Sequence, residues 1–145
     1  MITHPGPGLI KSVSFHVSCI PPKTSHHAKR IVRIGQFSRL ADKPELVAAK
    51  QMLDSVLLPH QPPQPIVGPV VLEVVYVWPW RASESRRTRD RGRMPMASRP
   101  DCDNLAKSLT DRLVALRFLE DDAKIVELHV RKFWGSEPGI SVVIR

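Results

Sequence analysis

Four leucines in residues 101–116 constrain the fold of this chain more than any other feature of its sequence. They are Leu105, Leu109, Leu113 and Leu116. Plotted at about 100° per residue, they fall on one narrow stripe, which predicts a helix with one apolar face. Asp103, Lys107 and Asp111 follow one another at four-residue spacing on the opposite face. The helix therefore has one side to bury against other elements and one charged side to keep in water.

Alternating and valine-rich segments supply the layer on which this helix can pack. A two-residue hydrophobic period predicts half-buried strands, and a run of valines between two prolines predicts a strand with much of both faces buried. The strands are predicted at residues 11–20, 31–36, 69–78, 124–134 and 139–144, and the helices at 43–58 and 101–116. The predicted fold class is α+β, a mixed sheet with two main helices packed on it in a single domain of residues 1–145.

The charges of the chain are divided between an acidic island and a basic remainder. The formal charge is +8, from 22 lysines and arginines against 14 aspartates and glutamates. Residues 101–122 hold six of these acids and three basic residues, a local charge of −3 that leaves +11 for the rest. A basic protein suits a polyanion such as DNA, although a well-solvated basic surface gives the same total. Acids that face a phosphate backbone need a cation, so this distribution favours a metal-dependent enzyme over a passive binder.

Two basic segments lie outside the acidic island. Residues 21–30 form a predicted basic loop, and residues 81–99 carry seven arginines against Glu84 and Asp90, a net charge of +5. The second composition buries too little apolar surface to order itself, so we expect a mobile arginine-rich loop in the free protein. It is either a solvated connection or an arm that orders on phosphates, and the neighbouring acidic island favours the arm. The Gly- and Pro-rich residues 1–10 are expected to be flexible.

The cysteines and the apolar runs indicate a cytoplasmic protein. Cys19 and Cys102 lie far apart without metal-binding spacing, so neither a disulfide framework nor a zinc module is indicated. The longest apolar run, residues 66–78, has thirteen residues, contains Glu73 and is too short to span a bilayer. The first residues lack the charged and apolar regions of a signal peptide. We therefore expect a reduced, cytoplasmic setting and no membrane partner.

Two pairs of aspartates flank the second helix. Asp101 and Asp103 lie where a loop becomes that helix, and Asp121 and Asp122 lie where the next loop becomes a strand. Carboxylates are the hard oxygen ligands that Mg²⁺ prefers, but capping of the helix and of the turn would explain the same spacing. Lys107, one turn beyond Asp103, would either pair with a neighbouring aspartate or neutralise charge that develops on a scissile phosphate.

The run RPDCDNLAKSLTDRL, followed by FLEDDAKIVELHVRK, resembles the RusA family of Holliday junction resolvases, which are found largely in prophages and bacteriophages. Those proteins show D-x-D-N-x-x-K-x-x-x-D-x-L on a helix and then D-D-x-x-[IV] at a turn into a strand, and every element is present here. The resemblance covers residues 99–133 tightly and the N-terminal FHVSCIPPKTSHHAKR more loosely. The combined pattern is far more specific than a lone D-x-D.

The resemblance implies an intertwined homodimer that binds a four-way DNA junction and makes paired, symmetrical nicks with Mg²⁺ or Mn²⁺. By position it implies metal-binding and catalytic roles for Asp101, Asp103 and Asp122, metal binding by Asp121, and catalysis by Lys107. The two basic segments would contact phosphates. Their residues for this role are Lys23, Lys29, Arg30, Arg86, Arg87, Arg89, Arg91 and Arg93. The long arginine-rich loop departs from leaner family members, which leaves the fine substrate preference open.

Three functions are weighed on the sequence. The first is a junction resolvase, the second a metal-dependent nuclease that acts on other branched or flapped DNA, and the third a non-catalytic DNA-binding protein whose acids cap helices. Changing Asp101 or Asp122 to Asn separates the third from the others, because a passive binder has no cleavage activity to lose.

Overall fold

The structure, a computed structural model, describes residues 12–23 and 29–145. Its strands are β1 Val13–Ser18, β2 Lys29–Ile34, β3 Phe37–Asp42, β4 Val70–Pro79, β5 Arg93–Pro95, β6 Ile125–Gly135 and β7 Gly139–Ile144. Its helices are α1 Pro44–Leu57, the single turn α2 Arg86–Arg89 and α3 Cys102–Ala115. Short 3-10 turns follow α1 at Leu58–His60 and precede β6 at Asp122–Lys124.

The main sheet has five strands in the order β1-β7-β4-β6-β5. Strands β4 and β6 run parallel, because α3 connects them, and the other neighbours run antiparallel. Strands β2 and β3 form a separate antiparallel hairpin. This architecture confirms the predicted α+β class with a mixed sheet and two main helices.

The two long helices share one core with the central strands. The predicted leucine stripe of α3 is buried at Leu105, Leu109 and Leu113, and these side chains belong to the same cluster as Leu53 of α1 and Trp78 of β4. Burial of each such side chain contributes about 1.5–3 kcal/mol. The polar side of α3 is thereby fixed toward solvent.

The chain reversal after α3 is a Schellman motif. The Phe118 N–H donates to the Leu113 carbonyl at 2.8 Å, and the Arg117 N–H donates to the Val114 carbonyl at 3.0 Å. Arg117 is left-handed, with a φ of 60°, and the side chains of Leu113 and Phe118 are both fully buried. This pattern of two hydrogen bonds and one apolar contact ends the helix and directs the following loop back toward the sheet.

Several sequence predictions need correction. The hairpin strand β3 was not predicted, and Arg30 lies in β2 rather than in a basic loop. Residues 81–99 are not an irregular loop throughout, because they contain α2 and β5. Mobility of this segment stays a prediction. The predicted flexible residues 1–10 and the central part of the basic loop, residues 24–28, lie outside the described residues.

The helices of the described residues are also relevant to the membrane expectation. In the part of the chain that the structure describes, none is long and apolar enough to cross a bilayer.

Candidate metal centre

The first pair of aspartates begins helix α3. Asp101 is the N-cap residue in extended conformation, but its side chain accepts no capping hydrogen bond, and Asp103 lies in the first turn. Both side chains are exposed. Negative charge is favoured there by the positive end of the helix dipole. The capping interpretation therefore does not explain Asp101, whose carboxylate stays available to another partner.

The second pair of aspartates has divided roles. The Asp121 carboxylate accepts a hydrogen bond from the Ala123 N–H at 3.1 Å and caps the short turn that begins at Asp122. The hydrogen bond from this amide and, as a smaller contribution, hydrogen bonding from Asp122 hold the pKa of Asp121 below its usual range. Asp121 thus acts locally as the capping interpretation expected, while the Asp122 side chain reaches α3.

Lys107 joins the polar face of α3 to the start of β6. Its Nζ lies 3.0 Å from Asp111 Oδ1 and 3.3 Å from Asp122 Oδ2. The hydrogen bond to Asp111 and then the one to Asp122 raise the pKa of Lys107 above its ordinary value. All three side chains are about half exposed, so these pairs contribute little to stability. Their significance lies in where they hold a positive charge.

An open cavity of about 360 Å³ lies between α3 and β6. It is lined by Asp103, Ala106, Lys107, Thr110, Asp122, Ile125, Val126, Glu127 and Leu128. Three of the predicted site residues, Asp103, Lys107 and Asp122, therefore line the same cavity. Asp101 and Asp121 are not among its lining residues. Glu127 is a further acid that sequence reasoning missed. The alternation of β6 predicted its strand but did not indicate that this residue faces α3.

The acids of this cavity fit a loosely held Mg²⁺. Among residues 12–23 and 29–145, no three His, Cys, Asp or Glu side chains are arranged to hold a metal ion. Mg²⁺ is commonly bound by one or two carboxylates and completes its shell with water and substrate phosphates. Asp103 and Asp122, which line one open cavity, match that donor set. The arrangement suits an ion whose coordination is completed by DNA rather than a closed structural site.

Two interactions fix the backbone that carries Asp101 and Asp103. Lys132 of β6 donates to the carbonyls of Ser98 and Pro100, each at 2.7 Å, immediately before Asp101. The buried Tyr76 hydroxyl donates to the Leu105 carbonyl at 3.2 Å. Burial raises the pKa of Tyr76, so its hydroxyl stays protonated as the donor. These two contacts anchor the loop and the first turn of α3 to the sheet.

The basic residues predicted to bind DNA lie in three places. Lys23 stacks over the Trp134 ring, 5.2 Å from its centroid, and Arg30 is exposed on β2. The side chain of Lys29 lies outside the described residues. The remaining five are exposed in or beside α2 and β5, at Arg86, Arg87, Arg89, Arg91 and Arg93.

Comparison with known proteins identifies the family to which the chain belongs. A family model described as endodeoxyribonuclease RusA matches residues 19–145, nearly the whole chain. The chain is also 36% identical over 101 residues to the uncharacterized protein YqaN of Bacillus subtilis (strain 168), and this alignment covers 66% of the chain and 70% of the relative. The chain therefore belongs to the RusA family of endodeoxyribonucleases, DNA-cleaving hydrolases of Holliday junctions. The resemblance seen in residues 99–133 is confirmed.

Proposed function

We propose that this protein resolves Holliday junctions by paired, symmetrical nicks that require Mg²⁺, for which Mn²⁺ can substitute. The observation that carries the proposal is the cavity shared by Asp103, Lys107 and Asp122 in a chain of the RusA family. Hard oxygen donors beside a positioned ammonium are what hydrolysis of a phosphodiester requires. The carboxylates alone, or the lysine alone, would be equally compatible with a helix that only has a charged surface. Their combination favours a nuclease.

Each side chain has a part in the proposed reaction. Asp103 and Asp122 would hold the cation, with Asp101 as a further candidate ligand. When bound, Mg²⁺ supplies Lewis acidity at the phosphate and lowers the pKa of water. Lys107 pairs with both Asp111 and Asp122. If the ion took up Asp122, the ion pair with Asp111 would still hold the Lys107 ammonium in position, and the ammonium could then pair with a phosphate oxygen. A cation held in this way stabilises the negative charge of the transition state.

A homodimer is part of the proposal. The hairpin β2–β3 exposes Ile31, Ile34, Phe37 and Leu40, with 55–79% of their surface accessible. Four large apolar side chains on one small hairpin are more than scattered surface residues and favour a protein partner. A second copy of the chain is that partner in our proposal, since two equivalent sites suit a junction with matching arms. We propose a reduced, cytoplasmic setting, consistent with the free thiols of Cys19 and Cys102.

The test compares substrates. A synthetic, mobile four-way junction is incubated beside a linear duplex and a flap of matching sequence, with Mg²⁺, with Mn²⁺ and with EDTA. The proposal predicts paired nicks in the junction alone, abolished by EDTA. Preferred cutting of the flap would instead indicate a nuclease for other branched DNA. Tight binding without cutting would indicate a passive DNA-binding protein.

A further inference from the structure

Six of the seven arginines of residues 81–99 fall into two groups with different roles, and Arg99, at the end of the segment, belongs to neither. All seven are exposed, so exposure does not separate them. Their side-chain contacts do separate them, because some arginines contact other parts of the protein and others contact none of the residues that the structure describes. The distinction defines which part of this segment is available to a ligand.

The first group holds the segment in shape. Arg81 forms an ion pair with Glu84 and lies over the Trp134 ring, 5.1 Å from its centroid. Arg89 donates to the carbonyls of Glu84 at 3.2 Å and Arg81 at 3.1 Å, which closes the turn that contains α2. These contacts replace the apolar burial that the composition of the segment lacks.

A second attachment fixes the end of the segment to the sheet. Strand β5 pairs with the last residues of β6, and Arg93 lies over the Phe133 ring at 5.0 Å. Gly135 makes this close approach possible, because a Cβ there would lie 2.9 Å from the Val77 side chain and 3.1 Å from the Gly92 carbonyl. Helix α2 is therefore presented on a fixed base at one end of the sheet.

The second group projects from this base. The side chains of Arg86, Arg87 and Arg91 make no hydrogen bond, ion pair or ring contact with any other residue that the structure describes. They lie within six consecutive positions whose other charged members are Arg89, held in the turn, and Asp90. Three unpaired guanidinium groups so close together repel one another and create a local positive potential that a polyanion relieves.

This surface is separate from the metal centre. The cavity is lined by the first residues of β6, as far as Leu128, whereas β5 pairs with the other end of the strand at Phe133–Gly135. The seven residue-to-residue steps of strand from Glu127 to Trp134 span about 23 Å. Along one strand of B-DNA, that distance corresponds to roughly seven nucleotides at about 3.4 Å each. A phosphate bound at the β5 end of the sheet would therefore lie several nucleotides from one bound at the cavity of the same protomer.

We propose that Arg86, Arg87 and Arg91 form a phosphate-binding surface that holds a junction arm several nucleotides from the cleavage point, while Arg81, Arg89 and Arg93 only support it. The proposal rests on the proposed function for the identity of the DNA. It narrows the predicted DNA contacts, because Arg89 and Arg93 are reassigned from binding phosphate to shaping the segment.

The experiment measures junction affinity in EDTA, where no cleavage occurs, as a function of salt. The double variant Arg86→Gln/Arg87→Gln is compared with Lys43→Gln/Arg117→Gln, which also removes two exposed positive charges that have no partner among the described residues. Each lost phosphate contact lowers the slope of log affinity against log salt by about 0.9. We expect the slope of the first variant to fall by about 1.8 and that of the control to stay unchanged.

Two results would overturn the assignment. An unchanged salt slope in Arg86→Gln/Arg87→Gln would exclude phosphate contacts by these two residues. An equal fall of the slope in the control would show that Arg86 and Arg87 contribute only to the general surface charge. Because affinity is measured without metal, these results are independent of whether the chain cuts DNA. Arg86→Lys/Arg87→Lys should retain the slope, and a thermal unfolding curve of each variant shows that the fold is intact.

Discussion

The Lys107 ammonium lies 3.3 Å from the Asp122 carboxylate, although the two residues belong to different elements and are fifteen positions apart. Lys107 is on the polar face of α3, and Asp122 begins the turn into β6. The Schellman motif after α3 turns the chain so that these two groups meet. The chain reversal that buries Phe118 thus brings Asp122, a predicted metal ligand, next to the positive charge of Lys107.

Replacing Lys107 should separate binding from cleavage. For Lys107→Gln we expect the single-turnover rate of junction cleavage to fall by about 10²–10³, the usual cost of losing one group that stabilises transition-state charge. Junction affinity in EDTA should be retained, because in the proposed reaction Lys107 acts on the charge that develops at the cleaved phosphate. Lys124→Gln is the matched control and should cut normally, because Lys124 lies just past Asp122 but forms no ion pair with it among the described residues. A Lys107→Gln variant with the wild-type rate would assign Lys107 to surface ion pairing alone.

Lys132 should act as a positioning residue. Removal of its two charge-assisted hydrogen bonds in Lys132→Met leaves the Ser98 and Pro100 carbonyls without this donor, and we expect the free energy of unfolding to fall by about 2 kcal/mol. Metal affinity, read from Mn²⁺ binding without DNA, should fall as well, because Asp101 and Asp103 lose their anchor. Lys132→Arg should restore part of both. Loss of stability with unchanged Mn²⁺ affinity would show that Lys132 supports the fold but not the metal centre.

Arg117 offers a test of the chain reversal. A left-handed conformation costs a non-glycine residue about 1–2 kcal/mol, and Arg117 has a φ of 60°. We therefore expect Arg117→Gly to raise the free energy of unfolding by about 1 kcal/mol in urea titrations, after the entropic cost of glycine. Cleavage should be unaffected. A destabilised variant would contradict the Schellman assignment.

The two thiols should differ in their reactivity with pH. Burial raises the pKa of the half-buried Cys19, whereas Cys102 is exposed at the start of α3. A raised pKa means that less of the thiol is present as thiolate at a given pH. Iodoacetamide should therefore alkylate Cys19 more slowly near neutrality than an ordinary thiol, and the rise of its alkylation rate with pH should occur at a higher pH. Peptide mapping of a time course at several pH values measures both sites. Faster labelling of Cys19 would mean that β1 is more open in solution.

The two long helices, α1 and α3, were predictable because each has its own hydrophobic period. The leucine stripe of α3 predicted its bounds closely, and Pro44 predicted the start of α1. The i, i+4 spacing also offered an ion pair of Lys107 with Asp103 or Asp111, and the structure contains the pair with Asp111. In these cases a local pattern and the tertiary fold agree, so no knowledge of distant contacts is needed.

The missed features depend on contacts that a linear pattern does not carry. Strand β3 lacks regular alternation, although Gly35, with a φ of 61°, marks the tight turn between Ile34 and Phe37. Strand β5 and α2 were missed because their arginine-rich composition suggested disorder. The stabilising partners come much later in the chain, Phe133 at 40 residues after Arg93 and Trp134 at 53 residues after Arg81. Glu127 and Lys132 were missed because alternation in β6 does not reveal which neighbour each face meets.

The most direct test of the central claim is single-turnover cleavage of a mobile four-way junction by the wild type, Asp122→Asn and Asp90→Asn at saturating enzyme with Mg²⁺. Asp90 is an exposed acid outside the cavity, so its variant controls for loss of one negative charge. We predict that Asp122→Asn binds the junction but cuts it more than about a hundredfold more slowly, since even outer-shell partners of a metal cost 10–100-fold. Wild-type cutting by a folded Asp122→Asn variant would contradict the assignment of this cavity as the metal-dependent cleavage site.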